Sequence, residues 1–304
     1  MWTAILDRML RSLLREGGLG VRFPDGTLRR YGGGDGPVIA LRDEATLRRL
    51  VLRPQLAVGE CYMDGTLEVE GDDLHGALAV IARNADGRAA EGWLAARRAV
   101  ARGLRRVRQL NGRRRAQRNV ARHYDITPAI YDLFLDADRQ YSCAYFRDPG
   151  DSLEQAQAQK KAHIARKLLL RPGMAVLDIG CGWGGLALTL ARDFGARVVG
   201  ITLSREQLAL AQGRAAEAGL SGQVEFRLQD YREVVGRFDR IVSVGMFEHV
   251  GLPNYGAYFR AVSGLLAPDG VALIHTIGRP APPEATNPFI AKHIFPGGHV
   301  PALS

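Results

Sequence analysis

Apolar positions along this chain follow two rhythms, and the change between them marks a domain boundary. Over residues 1–90, short apolar runs are broken every few residues by turn formers. An opening helical segment leads to Arg22-Phe23-Pro24-Asp25-Gly26-Thr27-Leu28, where a Pro-Asp-Gly turn separates apolar positions as in a hairpin. A loop over 32–37, a strand over 38–41, a helix over 44–52, a strand over 66–69 and a helix over 74–83 follow. The stretch 59–65 reads as the lead-in to the second of these strands. This is a small α+β domain, 1–90.

From residue 119 to 304, continuous apolar runs alternate with helical stretches, the pattern of a parallel, doubly wound α/β sheet. Strands are expected at 175–180, 197–203, 224–230, 240–247 and 271–278, and helices at 152–169, 185–193, 204–218 and 255–266. Ser204 is placed to cap its helix, with Gln207 at the third helical position. Ala267-Pro268-Asp269-Gly270 is expected to end the last helix and turn into the fifth strand. Ligands of such sheets bind beyond the carboxyl ends of the strands. Here those ends are 178–184, 202–207, Asp230-Tyr231, Glu248-His249 and His275-Thr276.

Between the two domains, the segment 91–118 carries ten arginines from Arg97 to Arg118, with Trp93, Ala96, Val100, Leu104, Val107 and Leu110 at helical spacing. It holds much of the net charge of +9. An amphipathic cationic helix suits an anionic membrane surface, a nucleic acid or a solvated linker equally well.

Composition narrows the class. Hydrophobic content of 46% and charged content of 24% are those of an ordinary globular protein. Cys61, Cys143 and Cys181 are widely spaced, which fits a reducing compartment and no metal-ligand pattern. The N-terminal stretch is broken by Asp7, Arg8, Arg11 and Arg15, unlike a signal peptide. No run approaches the ~18 apolar residues of a membrane span. The reading is cytoplasmic.

Val176-Leu177-Asp178-Ile179-Gly180-Cys181-Gly182-Trp183-Gly184-Gly185 carries the strongest chemical signal. A buried strand ends in an acid, then in glycines that let backbone approach a ligand closely, then in a helix with free N–H groups. The acid precedes the glycines, whereas the dinucleotide fingerprint places it about 20 residues after them. That order is seen in S-adenosylmethionine methyltransferases, whose cofactor needs a carboxylate for its ammonium and bare backbone beside its sulfonium.

Further motifs carry a specific resemblance: His123-Tyr124-Asp125, Tyr141-Ser142-Cys143-Ala144-Tyr145-Phe146, Gly200-Ile201-Thr202-Leu203-Ser204, Met246-Phe247-Glu248-His249-Val250-Gly251, His275-Thr276-Ile277-Gly278 and Ile294-Phe295-Pro296-Gly297-Gly298. From about residue 119 onward the sequence resembles the cyclopropane-fatty-acyl-phospholipid synthase family, which includes the mycolic acid cyclopropane synthases. Residues 1–90 resemble the smaller N-terminal domain of its longer members.

The resemblance implies a Rossmann-like methyltransferase fold and a methylene transfer across a cis double bond of a phospholipid acyl chain. It implies that Asp178, Gly180, Gly182 and Gly184 line S-adenosylmethionine, that Thr202 and Gln207 hold its ribose side, that Asp230 and Tyr231 flank the adenine, and that Tyr141 and Ser142 cover the methionine end. It implies a bound bicarbonate surrounded by Cys143, Glu248, His275 and Ile277. An alkene that attacks a methyl group becomes a cation and must lose a proton to close a ring, so a base in a dry channel is required. Taken singly, His275 reads as a satisfied polar residue, Glu248 as a helix N-terminal acid and Cys143 as a small buried hydrophobe.

The resemblance turns the arginine segment toward peripheral contact with the inner membrane face and away from nucleic acid; a homodimer is compatible with it. Branched-chain methylation of an acyl group and N-methylation of a small molecule are the competing activities. Relatives continue beyond Ser304, which implies that two strands and a tyrosine near the bicarbonate are missing here, and that this protein has weak activity or none.

Overall fold

The computed structural model describes residues 1–84, 128–280, 282–283 and 286–302. The arginine-rich segment and the His123-Tyr124-Asp125 motif lie outside the described residues. The chain divides into two units, Met1–Leu104 with Ala285–Lys292, and Arg105–Glu284 with His293–Ser304.

In the first unit, α1 (Trp2–Leu13), β1 (Gly18–Arg22), β2 (Leu28–Gly32), β3 (Val38–Leu41), α2 (Glu44–Leu52), α3 (Pro54–Met63), β4 (Leu67–Glu70) and α4 (Leu74–Arg83) follow in order. The four-stranded sheet has the order β2-β1-β3-β4. β1 pairs antiparallel with β2 through the expected hairpin, and parallel with β3. Leu19, Val21, Tyr31, Leu41, Leu47 and Leu67 lie in one core. Asp43 and Asp73 cap α2 and α4 by accepting from Thr46 N and Gly76 N. The stretch read as a lead-in to β4 is instead the second half of a helix, α3, started by Pro54. A Cβ at Gly59 within it would lie 2.4 Å from the Phe289 ring. A glycine inside a helix is unfavourable by roughly 0.5–1 kcal/mol relative to alanine; here it makes room for an aromatic ring.

The second unit contains α5 (Pro128–Asp132), α6 (Leu153–Lys167), β5 (Ala175–Ile179), α7 (Gly185–Phe194), β6 (Arg197–Thr202), α8 (Arg205–Glu217), β7 (Val224–Leu228), β8 (Phe238–Val244), α9 (Tyr255–Leu265) and β9 (Leu266–His275). Its sheet has the order β7-β6-β5-β8-β9, all parallel. Val176 and Val198 face the core shared with α6, α7 and α8, whereas Leu177, Ile179 and Ile201 face the core shared with α9. Alternate residues of a strand point to opposite faces, and both faces are covered, which is why these strands read as continuous apolar runs. The backbone leaves β5 for β6 on one side and returns to β8 on the other, so the carboxyl ends of β5 and β8 border a switch point.

β7 and β9 end at Leu228 and His275, short of the expected 230 and 278, and two further boundaries differ more tellingly. β8 ends at Val244, and Glu248 sits in a short 3₁₀ turn, Phe247–His249. β9 begins at Leu266, because Phe238 pairs with Leu266 and Arg240 next pairs with Val271. Between these pairs one residue on β8 opposes four on β9, so Ala267-Pro268-Asp269-Gly270 is a bulge within pairing strands rather than a turn before them.

Candidate active site

A cavity of about 150 Å³ lies beyond the carboxyl ends of β5, β6 and β7. Asp178, Gly180 and Gly182 line it from β5, Thr202 and Gln207 from the β6–α8 junction, and Asp230 and Tyr231 from the end of β7. Tyr141 and Ser142 line it from the segment before α6.

Asp178 is 2% exposed, and its Oδ2 has no hydrogen-bond partner among the described residues. Burial alone raises its pKa to about 7. Gly182 has φ +56° and nothing within 4 Å of where a Cβ would stand, so it borders open space. Gly184, at φ +85°, is different: a Cβ there would come within 2.6 Å of the Phe226 ring, and the residue is not in the cavity wall. It serves as the left-handed N-cap of α7. An orphaned carboxylate beside bare backbone fits a cofactor bearing an amino-acid ammonium group.

The β6–α8 junction is rigid. Thr202 Oγ1 donates to Gln207 Oε1 at 2.7 Å and accepts from Ser204 N at 3.2 Å, while Ser204 Oγ accepts from Gln207 N at 3.2 Å. Gln207 is thus both in the capping position and aimed at the cavity, its amide NH₂ left for a ligand hydroxyl. Asp230 accepts from Arg232 N at 3.0 Å and from its Nε at 2.8 Å and Nη2 at 2.6 Å. Tyr231 packs edge-on against Tyr258, ring centres 5.2 Å apart.

Residues 140–142 are strapped to α6. Gln157 Nε2 donates to Gln140 O at 3.1 Å and to Ser142 O at 3.0 Å. Lys160 Nζ donates to Gln140 Oε1 at 3.0 Å and to Ser142 Oγ at 2.6 Å. Burial lowers the Lys160 pKa to about 8, against the pull of Asp136 and Asp138. Asp138 in turn accepts from Lys161 and Arg214, and Arg214 Nη1 also donates to Trp183 O at 2.8 Å. One arginine of α8 therefore ties the strap to the glycine loop. The sequence hides Lys160, because a lysine pair on a polar helix reads as a solvated face; the neighbouring Gln157, at an interior position, is the available signal.

The second predicted cluster is not part of the wall of this cavity. Glu248 is fully buried, Oε1 accepts from Ile277 N at 2.6 Å, and Oε2 has no partner among the described residues. His275 Nδ1 is likewise buried without a partner. Burial lowers the His275 pKa, Glu248 opposes that, and Lys160 adds to it. The Ile277 N–H is taken by Glu248 and so is not left for an anion. Cys143 and Ile277 are exposed, so Cys143 is not buried as a small hydrophobe. Among the described residues no group of His, Cys, Asp and Glu side chains could hold a metal ion, and no described helix is long and apolar enough to cross a membrane.

A doubly wound parallel sheet with glycines at its switch point is a nucleotide-cofactor fold, and with the acid ahead of the glycines it matches the S-adenosylmethionine-dependent methyltransferase class. Within that class the chain belongs to the mycolic acid cyclopropane synthetase family, whose model matches residues 111–304. Residues 5–91 match a domain of unknown function, DUF7884.

A "Probable fatty acid methyltransferase" of Pseudomonas putida is 48% identical over 193 residues, covering 61% of this chain and 49% of the relative. The "Cyclopropane-fatty-acyl-phospholipid synthase" of Escherichia coli K12 is 41% identical over 265 residues, covering 87% of this chain and 67% of the relative. The chain thus spans about half the length of the first and about two thirds of the second. Among solved structures, the mycolic acid cyclopropane synthase CmaA1 complexed with SAH and CTAB superposes with a TM-score of 0.57 at 37% identity, over 61% of this chain and 70% of that one.

Proposed function

We propose that this protein transfers the methyl carbon of S-adenosylmethionine to a cis double bond of a phospholipid acyl chain and closes it to a cyclopropane. The observation that carries this reading is the orphaned Asp178 carboxylate beside the open space at Gly182, in a protein that belongs to this family. When bound, S-adenosylmethionine supplies an electrophilic methyl on a sulfonium. Asp178 holds the ammonium of its amino-acid end, Thr202 and Gln207 orient the ribose, Asp230 and Tyr231 flank the adenine, and Tyr141 and Ser142 close over the methionine end. Gly180 and Gly182 keep side chains out of the way; Gly184 acts one step removed, by letting Phe226 pack beneath the loop.

An alkene has no proton to give up before it attacks, so the lipid becomes a cation that must then lose a proton from the incoming carbon. Glu248 Oε2 and His275 Nδ1 are buried polar atoms in want of partners, and a bicarbonate ion would satisfy both by donating its O–H to the carboxylate and accepting from the imidazole. Glu248 and His275 would hold it, with Cys143 and Ile277 at the rim, and it would supply the base. Support for phospholipid as the acyl carrier is the name of the Escherichia coli relative, together with the arginine-rich segment, whose composition suits an anionic membrane surface.

A second reading is methylation of a fatty-acyl carbon to give a branched product, favoured by the name of the Pseudomonas putida relative. The two share the methyl transfer and differ in how the cation is quenched: loss of a proton from the incoming carbon closes the ring, whereas loss of a proton from a chain carbon beside the cation leaves a methyl-branched alkene. Single-turnover incubation with methyl-labelled S-adenosylmethionine and vesicles of unsaturated phospholipid, followed by gas chromatography–mass spectrometry of the fatty acids, separates them. A labelled ring supports the proposal; a labelled branch favours the second reading; label on a soluble amine and none on lipid sinks both.

A further inference from the structure

The cavity wall carries a cation that the proposed reaction leaves unused. Lys160, on α6, is 4% exposed and lines the same cavity as Asp178. Its ammonium donates to Gln140 Oε1 and Ser142 Oγ. An ammonium has three N–H groups, and no described residue accepts from the third. Nor is the charge well matched. Asp138 is already engaged by Lys161 and Arg214, and Asp136 accepts from Gln140 N at 2.7 Å. A buried charge persists only where something compensates it.

Asp178 presents the opposite case: a buried acid with an orphaned oxygen, shifted by burial alone and not offset by Lys160. One cavity therefore holds an unmatched carboxyl group and an under-used ammonium that do not serve each other. That pair is complementary to a zwitterion, the α-amino-acid group of a ligand, with its ammonium toward Asp178 and its carboxylate toward Lys160. The strap fits this role. Gln157 and Lys160 stand three residues apart on one face of α6 and together fix Gln140 and Ser142, so the lysine is held at the cavity by the segment that also lines it.

We propose that Lys160 is a cofactor-binding residue whose ammonium takes the carboxylate of the cofactor's amino-acid end, opposite Asp178. This rests on the reading of the cavity as an S-adenosylmethionine site.

The test is calorimetric titration of the protein with S-adenosylhomocysteine and with its analogue lacking only the carboxylate. Lys160→Met keeps the stem and removes the charge. Wild type is expected to prefer S-adenosylhomocysteine by roughly 30-fold or more, the scale of a charge-assisted hydrogen bond. Lys160→Met should lose that preference while binding the decarboxylated analogue within about 3-fold of wild type. Equal weakening of both ligands would mean the lysine only braces residues 140–142, and would overturn the proposal; so would unchanged binding of S-adenosylhomocysteine. Should Lys160→Met fail to fold, the wild-type comparison decides, since no preference for the carboxylate overturns the proposal by itself. Failure of folded wild type to bind either ligand overturns the cofactor reading, and this proposal with it.

Discussion

Two aspartates lie at the carboxyl ends of β5 and β7, the strands on either side of β6 in one sheet, and they have opposite fates. Asp178, at the end of β5, is 2% exposed and has an oxygen without a partner; Asp230, after β7, is 4% exposed and is held by the backbone N–H and guanidinium of Arg232. Burial is nearly the same, and both lie within two residues of a strand's carboxyl end, Asp178 one before Ile179 and Asp230 two after Leu228. The difference lies in what the next residues supply. The two residues after Asp178, Ile179 and Gly180, offer no donor side chain; after Asp230 comes an arginine two residues on. The protein completes one carboxylate by itself and leaves the other for a ligand.

The comparison is sharpest as a pH dependence of stability. Asp178 has its folded pKa raised to about 7, from 3.8. Between these values the unfolded state has released the proton and the folded state retains it, so the unfolded state binds fewer protons and stability falls as pH rises. Below pH 3.8 the group contributes nothing; above about 7 the full cost is present. A shift of this size corresponds to on the order of 4 kcal/mol. Urea unfolding at about pH 5 and about pH 8 should show wild type losing most of that amount across the interval, relative to Asp178→Asn. Parallel pH profiles for the two proteins would mean that Asp178 is not the titrating group. S-adenosylhomocysteine, by placing an ammonium against the carboxylate, should flatten the wild-type slope.

The same substitution should weaken the ligand while it strengthens the fold. Losing a charge-assisted hydrogen bond amounts to about 1.5–3 kcal/mol, so Asp178→Asn should bind S-adenosylhomocysteine about 10- to 150-fold less tightly. Isothermal titration beside a thermal melt reads both. A variant less stable than wild type at about pH 8 would contradict the account of Asp178 as an unmatched charge.

Arg232→Ala converts Asp230 toward the condition of Asp178. The guanidinium is partly exposed and the backbone N–H at position 232 survives, so the expected loss is about 2 kcal/mol, below the range for fully buried pairs. Denaturant unfolding checks it, and Asp230→Asn in the same background should recover much of the loss. No recovery would show that Arg232 acts by packing over Tyr231, where its guanidinium stands 5.2 Å from the ring centre.

How much of this is legible in the sequence depends on whether one residue type has one physical meaning. The parallel strands are readable because a strand buried on both faces can only be apolar: Val176, Leu177 and Ile179 leave no alternative. The glycine loop is readable because the acid stands before the glycines. Helix α3 is not. Only Ala57 and Cys61 of its ten residues are buried and Gly59 interrupts it, so no helical stripe forms. The start of β9 is hidden because Pro268, Asp269 and Gly270 carry turn signals, and these are satisfied inside a bulge. Lys160 is hidden because a lysine's default is water, and only the packing of Gln140 and Ser142 on α6 takes it out of water.

The smallest effect belongs to the junction between the two acids. Thr202 is buried and uses both capacities of its hydroxyl, donating to Gln207 Oε1 and accepting from Ser204 N. Thr202→Val keeps the shape and leaves one acceptor and one donor without a partner. The acceptor can turn toward the cavity and reach water, so the stability loss should be about 1 kcal/mol, at the low end for orphaned groups. That same turn of the amide removes the NH₂ from its ligand-facing position, so S-adenosylhomocysteine binding should fall by about 5-fold. A nucleoside analogue lacking the ribose hydroxyls should bind wild type and Thr202→Val alike. If Thr202→Val weakened that analogue just as much, Thr202 would be shaping the cavity as a whole and not aiming Gln207 at a hydroxyl.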